Sequence, residues 1–116
     1  MPKITGRAKR VRIYLCESDC LQRKALCSLI VQKAKELDLA GASVFRGLMG
    51  YGATSRIHMA KLVALPCDLP VLIEIVDSEE YIAKLLPYLD EVIQEGLVAV
   101  DDIEIIKYGK TAPKRR

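Results

Sequence analysis

Three glycines and four basic side chains crowd the stretch VFRGLMGYGATSRIHMAK, residues 44–61. Glycine admits positive φ and lets backbone N–H groups approach a ligand closely. Successive N–H groups in such a turn, with cations beside them, form a concavity suited to anions. Gly47, Gly50 and Gly52 supply the backbone, and Arg56, His58 and Lys61 the charge. A guanidinium grips two phosphate oxygens as a fork, which puts Arg56 first among the cations. Arg46 suits either a ligand contact or an ion pair at a subunit interface. The expected chemistry is the holding of a nucleotide's phosphates. The same composition also suits an ordinary loop with solvated charges, and at this level both readings stand. His58 has no recognisable nucleophile or orienting partner in the sequence, so catalysis by it is not expected and no catalytic residue is assigned.

Metal chemistry finds little support. Cysteines stand at 16, 20, 27 and 67 without C-x-x-C spacing, and His58 is the only histidine. A structural zinc site needs four closely spaced ligands of these types, so no metal site is expected and no cofactor is required. The net charge of +3 is uneven: residues 1–12 and 107–116 each carry five cations and no acid. The body between them sets eight cations against all 15 acids, a balance of −7. A broad nucleic-acid face on the body is therefore not expected. No apolar run reaches the roughly 18 residues that span a bilayer, and MPKITGRAKR leads into no signal-peptide core. The expectation is a cytoplasmic protein without direct membrane insertion.

The elements that position these residues follow from periodicity. At 116 residues, with 51% hydrophobic side chains, the chain reads as one domain with a core at about 11–109 and basic tails at 1–10 and 110–116. Val11–Cys16 alternates as a strand. Cys20–Leu37 carries Leu26, Leu29, Ile30, Ala34 and Leu37 at helical steps, with Ser18 or Asp19 as the expected cap and Gly41 as the stop. Ala42–Met49 is a second strand that runs into the glycines. The segment to Pro70 is long for a connection and has room for a short helix around Met59–Leu65. Pro70–Asp77 alternates strongly. A helix should begin at Asp77, with Glu80 as its capping partner, and kink or break before Pro87. Gly96 ends that helix, and a last strand covers Ile103–Lys107, or starts as early as Leu97 with an irregularity at Asp101–Asp102. This βαββαβ order predicts an α+β, ferredoxin-like domain: a four-stranded antiparallel sheet with both helices on one face.

The other face would carry Arg12, Tyr14, Cys16, Val44, Arg46, Leu48, Leu72, Glu74, Val76, Glu104 and Ile106. That mixture is less polar than a solvated face requires. An oligomer could bury its apolar members and pair Arg12 or Arg46 with Glu74 or Glu104 across subunits, with Tyr14 in the same interface.

RIYLCESD, VFRGLMGYG and DLPVLIEIVDSEE together resemble the uncharacterised PII-like proteins, short relatives of the nitrogen-regulatory PII signalling proteins. The resemblance covers about residues 11–109. It implies a homotrimer with the sheets at its centre, an adenine nucleotide in each cleft between neighbouring subunits, and a long loop that reaches a regulated partner such as a membrane transporter or an enzyme. By position that loop is Gly50–Pro66, its base is Arg46 to Gly52, including Gly47 and Met49, and the turn at Gly96 is the second nucleotide-binding segment. Two departures matter. LVAVDD follows Gly96 without a glycine–lysine cradle, and Tyr51 lies at the loop's base rather than its tip. AMP or ADP is therefore the expected ligand rather than ATP. Two other classes compete: an RNA-binding module of the same strand order that uses the basic tails, and a small nucleotide hydrolase. With one Phe, no Trp and only Tyr14 on the expected open face, base stacking on the sheet is poorly provided for.

Overall fold

Alternation builds the sheet. In the computed structural model, which describes residues 5–51, the backbone of 58–59, and residues 69–109, strand β1 covers Gly6–Cys16 and buries Val11, Ile13 and Leu15. Two short strands, β2 (Cys20–Leu21) and β3 (Lys24–Ala25), form a hairpin ahead of helix α1, Leu26–Glu36. Strand β4 is Ala42–Arg46, and β5 (Met49–Gly50) pairs with β6 (His58–Met59). Strand β7 is Pro70–Asp77, helix α2 Glu79–Val92 and strand β8 Leu97–Ile105. The main sheet runs β4-β7-β1-β8 with every neighbouring pair antiparallel. This is the ferredoxin-like arrangement expected from the order of elements.

The core lies between one face of this sheet and the two helices. Ile13, Ile73 and Ile75 from the sheet meet Ile30 of α1 and Ile82, Leu85 and Leu89 of α2, all fully buried or nearly so. Each such side chain contributes about 1.5–3 kcal/mol by leaving water. Asp77 is the one buried polar residue among those described. Its Oδ2 accepts the Ala40 N–H at 2.8 Å and its Oδ1 the Ser78 N–H at 2.6 Å.

Several local expectations are corrected. The first helix begins at Leu26, not Cys20. Residues 20–25 are all exposed and offer no inward stripe, and Gln22 and Arg23 take φ of 51° and 70° in the turn of the hairpin. Positive φ at both central residues matches the twist of a two-residue hairpin. Asp19 does not cap α1 with its side chain. Its carboxylate accepts the Cys16 N–H at 2.7 Å, while its carbonyl accepts the Leu26 N–H at 2.9 Å. The helix stops before Gly41. Asp38 turns left-handed at φ 64°, Leu39 N–H donates to the Ala34 carbonyl at 3.0 Å, and Asp38 N–H to the Lys35 carbonyl at 3.1 Å. That is a Schellman closure, with buried Leu39 as its apolar contact. Ser78, not Asp77, caps α2, its Oγ accepting the Tyr81 N–H at 3.3 Å. Helix α2 continues unbroken through Pro87. Strand β8 starts at Leu97, the early start expected, but ends at Ile105 rather than Lys107 and pairs with β1 through Asp101 and Asp102 without the expected irregularity. The short helix expected around Met59–Leu65 lies outside the described residues apart from Met59, which belongs to β6.

Register also corrects the open face. Val44 sits opposite Ile73, Arg46 opposite Val71 and Glu104 opposite Arg7, so all three belong to the helix-side face. The open face instead carries Ser43 and Phe45 from β4, with Leu97, Ala99 and Asp101 from β8. Strand β4 is an exposed edge, so its own alternation does not fix its register; pairing with buried β7 does. Nor do Arg12 and Glu74 look elsewhere for charge. They are direct cross-strand neighbours, with Nε–Oε2 at 3.3 Å. Arg46 likewise finds its carboxylate, Glu17, within the chain.

Candidate functional site

At one end of the sheet β1 finishes at Cys16, β4 finishes at Arg46, and β7 begins at Pro70, opposite Cys16. The chain leaves β4 through Gly47, whose N–H donates to the Pro70 carbonyl at 2.7 Å. A Cβ on Gly47 would lie 2.8 Å from the Pro70 ring, so only glycine permits this close crossing. From the other side comes the turn between α2 and β8. Gly96 there has φ +148°, and a Cβ would stand 2.8 Å from the Tyr14 carbonyl oxygen. Two segments distant in sequence are thus drawn together by glycines that allow backbone to press on backbone.

Between them opens a cleft of about 480 Å³. Arg46, Gly47, Met49 and Gly50 line it from the loop base, and Gly96 with Glu95 from the opposite turn. The structure therefore gathers five of the nine expected nucleotide-binding positions around one space. Gly52, Arg56 and Lys61 lie outside the described residues. The backbone of His58 pairs with Gly50 across the β5–β6 ladder.

Sequence reasoning missed the rest of the lining. Tyr14 and Leu72 from the open face of the sheet, Phe45 of β4, and Tyr51 also bound the cleft. Phe45, Leu72, Tyr14 and Leu97 are successive cross-strand partners and form one apolar row across all four strands. Phe45 is 52% exposed, Tyr14 40% and Leu97 58%. Only the register reveals this row, which is why composition alone gave a poor account of stacking surfaces. Aromatic faces at this spacing can stack on a flat heterocycle.

Charge in the cleft is sparse and mostly committed. Arg46 is the one cation among the described lining residues, which also include the acids Asp19 and Glu95. Its Nε and Nη2 donate to Glu17 Oε2 and Oε1 at 2.8 and 2.9 Å, a bidentate pair. Glu17 itself is fixed to the start of β7 by its N–H, which donates to the Leu69 carbonyl at 2.8 Å. Among the described residues no group of three or more His, Cys, Asp or Glu could hold a metal ion. No helix among them is long and apolar enough to cross a membrane.

The family model DUF190, described as "Uncharacterized ACR, COG1993", matches residues 8–105. The chain belongs to this family. A UPF0166 protein of Aquifex aeolicus is 37% identical to this DUF190 chain over 102 residues, 86% of this chain and 94% of that one. A UPF0166 protein of Methanocaldococcus jannaschii is also 37% identical, over 90% of this chain and 96% of its own. Among solved structures, a putative PII-like signalling protein of Thermus thermophilus superposes with a TM-score of 0.63 at 19% identity, covering 89% of this chain and 93% of that one. CPII of Thiomonas intermedia, a nitrogen-regulatory PII-like protein solved with ADP, AMP and bicarbonate, gives a TM-score of 0.61 at 19% identity over 87% of this chain and 90% of its own. At such identities the likeness is one of fold. The resemblance read from the three sequence motifs agrees with this fold: the DUF190 chain shares the fold of PII-like proteins.

Proposed function

We propose that this protein is a PII-like regulator that binds AMP or ADP in the cleft between the loop base and the Gly96 turn, and reports occupancy to a partner through loop 50–66. The observation that carries the reading is the convergence of Arg46, Gly47, Met49 and Gly50 with Gly96 on one space walled by Tyr14, Phe45 and Tyr51. An adenine ring suits the aromatic wall. Arg56, His58 and Lys61 follow the loop base directly and are the proposed phosphate cations, with Gly52 in the same turn. The described lining favours few phosphates, because it holds two acids, Asp19 and Glu95, against one arginine that is already paired. CPII, of similar fold, was solved with ADP and AMP, which supports the ligand class.

The assembly proposed is a homotrimer. The half-exposed row Phe45–Leu72–Tyr14–Leu97 gives a second copy an apolar strip to cover, and the cleft then lies between subunits. Arg12 and Glu74 border that strip as an intrachain pair. The regulated partner is a protein, a membrane transporter or an enzyme by family analogy. The proposed role is binding without turnover, in the cytoplasm.

A thermal-shift series with AMP, ADP, ATP and GMP, run with the mass in solution, tests this. A ligand at a hundred times its Kd stabilises the native state by about 2.7 kcal/mol, roughly 10 °C for a chain of this size. AMP or ADP should give such a shift in a trimer. A chain that no nucleotide shifts at millimolar concentration overturns the proposal.

A further inference from the structure

Arg46 is already holding an anion, and that anion is part of the protein. The Glu17 carboxylate accepts from Nε and Nη2 at 2.8 and 2.9 Å, in the fork geometry that a phosphate or a carboxylate ligand would use. The side chains of Arg46 and Glu17 are 62% and 39% exposed, so the pair faces solvent and can exchange. Glu17 would not move far on release. Its backbone N–H stays bonded to Leu69, at the point where β7 begins. Asp19 and Glu95 complete a described lining in which acids outnumber the one cation.

We propose that Glu17 is an internal competitor for Arg46 and sets the charge that a ligand of the cleft must carry. This deepens the nucleotide reading and rests on it. An anion that takes the Nε–Nη2 edge must displace the carboxylate. One that takes the other edge of the guanidinium sits beside the carboxylate and is repelled by it. A singly charged carboxylate gains nothing by exchanging with another carboxylate. A phosphomonoester, which carries close to two charges at neutral pH, does gain. Glu17 therefore biases the cleft toward phosphate dianions and away from small monoanions, and it weakens binding of even the favoured ligand.

The test is calorimetric titration of AMP and of adenosine into the full chain, as wild type, Glu17→Gln, Arg46→Gln and the double variant, with Glu95→Gln as a control for general charge. Melting curves without ligand confirm that each variant folds. Exposed ion pairs contribute modestly, so Glu17→Gln should tighten AMP about two- to fivefold and leave adenosine unchanged. The gain should vanish in the Arg46→Gln background, the signature of a pairwise coupling. Glu95→Gln should not reproduce it. An unchanged AMP affinity overturns the proposal, as does an equal gain with Arg46 removed, which would make Glu17 merely one more negative charge. If neither compound binds any of the variants, the nucleotide reading falls. Inorganic phosphate then becomes the probe: its binding must tighten in Glu17→Gln and weaken in Arg46→Gln, and identical titrations overturn the competitor role too.

Discussion

The two ends of the sheet are built on opposite principles. Away from the cleft, charges oppose one another across strands. On the open face Arg10 grips Asp101 through two hydrogen bonds of 3.1 and 2.6 Å and Arg12 meets Glu74, while on the helix-side face Lys9 meets Asp102. A polar hollow of about 690 Å³ at the Lys9–Asp102 pair is lined also by Arg7, Glu79 and Glu104. Each of the three pairs joins strands that are already hydrogen-bonded, so the charge reinforces a register fixed by the ladder. At the cleft end the strands present an apolar row and glycines, and the one described cation bonds to a turn residue 29 positions away instead of a strand neighbour. Large exposed aromatic side chains beside a concavity do nothing for a monomer's stability. The contrast separates a structural end from a recognition end, and it predicts that substitutions at the two should fail in different assays.

The largest effect belongs to the structural end. Asp77, opposite Lys9, is fully buried and accepts from Ala40 and Ser78, tying the α1–β4 connection to the start of α2. Asp77→Ala leaves two backbone N–H groups without these acceptors, at about 1–3 kcal/mol each. Chemical denaturation should show a loss of about 2–5 kcal/mol, with Asp77→Asn intermediate. Nucleotide affinity of the folded fraction should be unchanged. A variant of full stability, or one that stays folded and loses ligand, breaks the division between the ends.

Phe45→Ala is the reciprocal probe. Half of this side chain is in water in the single chain, so its removal should cost the subunit's own fold little and show any loss in the assembly. Stacking of a base on an aromatic ring contributes about 1–3 kcal/mol, so AMP affinity should fall at least about fivefold. Comparable loss for Tyr14→Ala would sharpen the assignment to a base subsite. Undiminished affinity would leave Phe45 as an assembly contact only.

How far the sequence could be read follows the same division. Strand β7 was legible to the residue, because alternation inside a buried strand admits one register. The gathering of Gly47, Gly50 and Gly96 was legible only through family resemblance, since nothing in the spacing of residues 47 and 96 brings them together. What brings them together is the crossing at Pro70 and the turn against Tyr14. The Gln22–Arg23 turn was not legible because neither residue is the glycine or asparagine that usually marks such φ values. Nor was the register of β4, an edge strand whose apolar residues remain exposed on both faces. The Glu17–Arg46 pair lies beyond any local pattern, and with it the commitment of the cleft's cation.

The smallest effect is one of pH, and it also belongs to the structural end. The Arg10 guanidinium, through its hydrogen bonds and charge, holds the Asp101 carboxyl below the usual carboxylate range, and the same bonds raise Arg10. A carboxyl whose pKa is lower in the folded state binds fewer protons there than in the unfolded chain. Its stabilisation is therefore complete above the ordinary aspartate pKa, near 4, and is lost as the pH falls through the lower folded value. Asp101→Asn should be slightly less stable than wild type at neutral pH, and the difference should close on acidification below about pH 4. Because the pair is exposed, added salt should narrow the neutral-pH difference as well. Paired melting curves from pH 3 to 7 at low and high salt measure both trends. A difference that does not shrink at all between pH 7 and pH 3 would mean that Asp101 acts through packing of the β1–β8 ladder and not through charge, and the structural end would then owe its order to the same apolar contacts as the core.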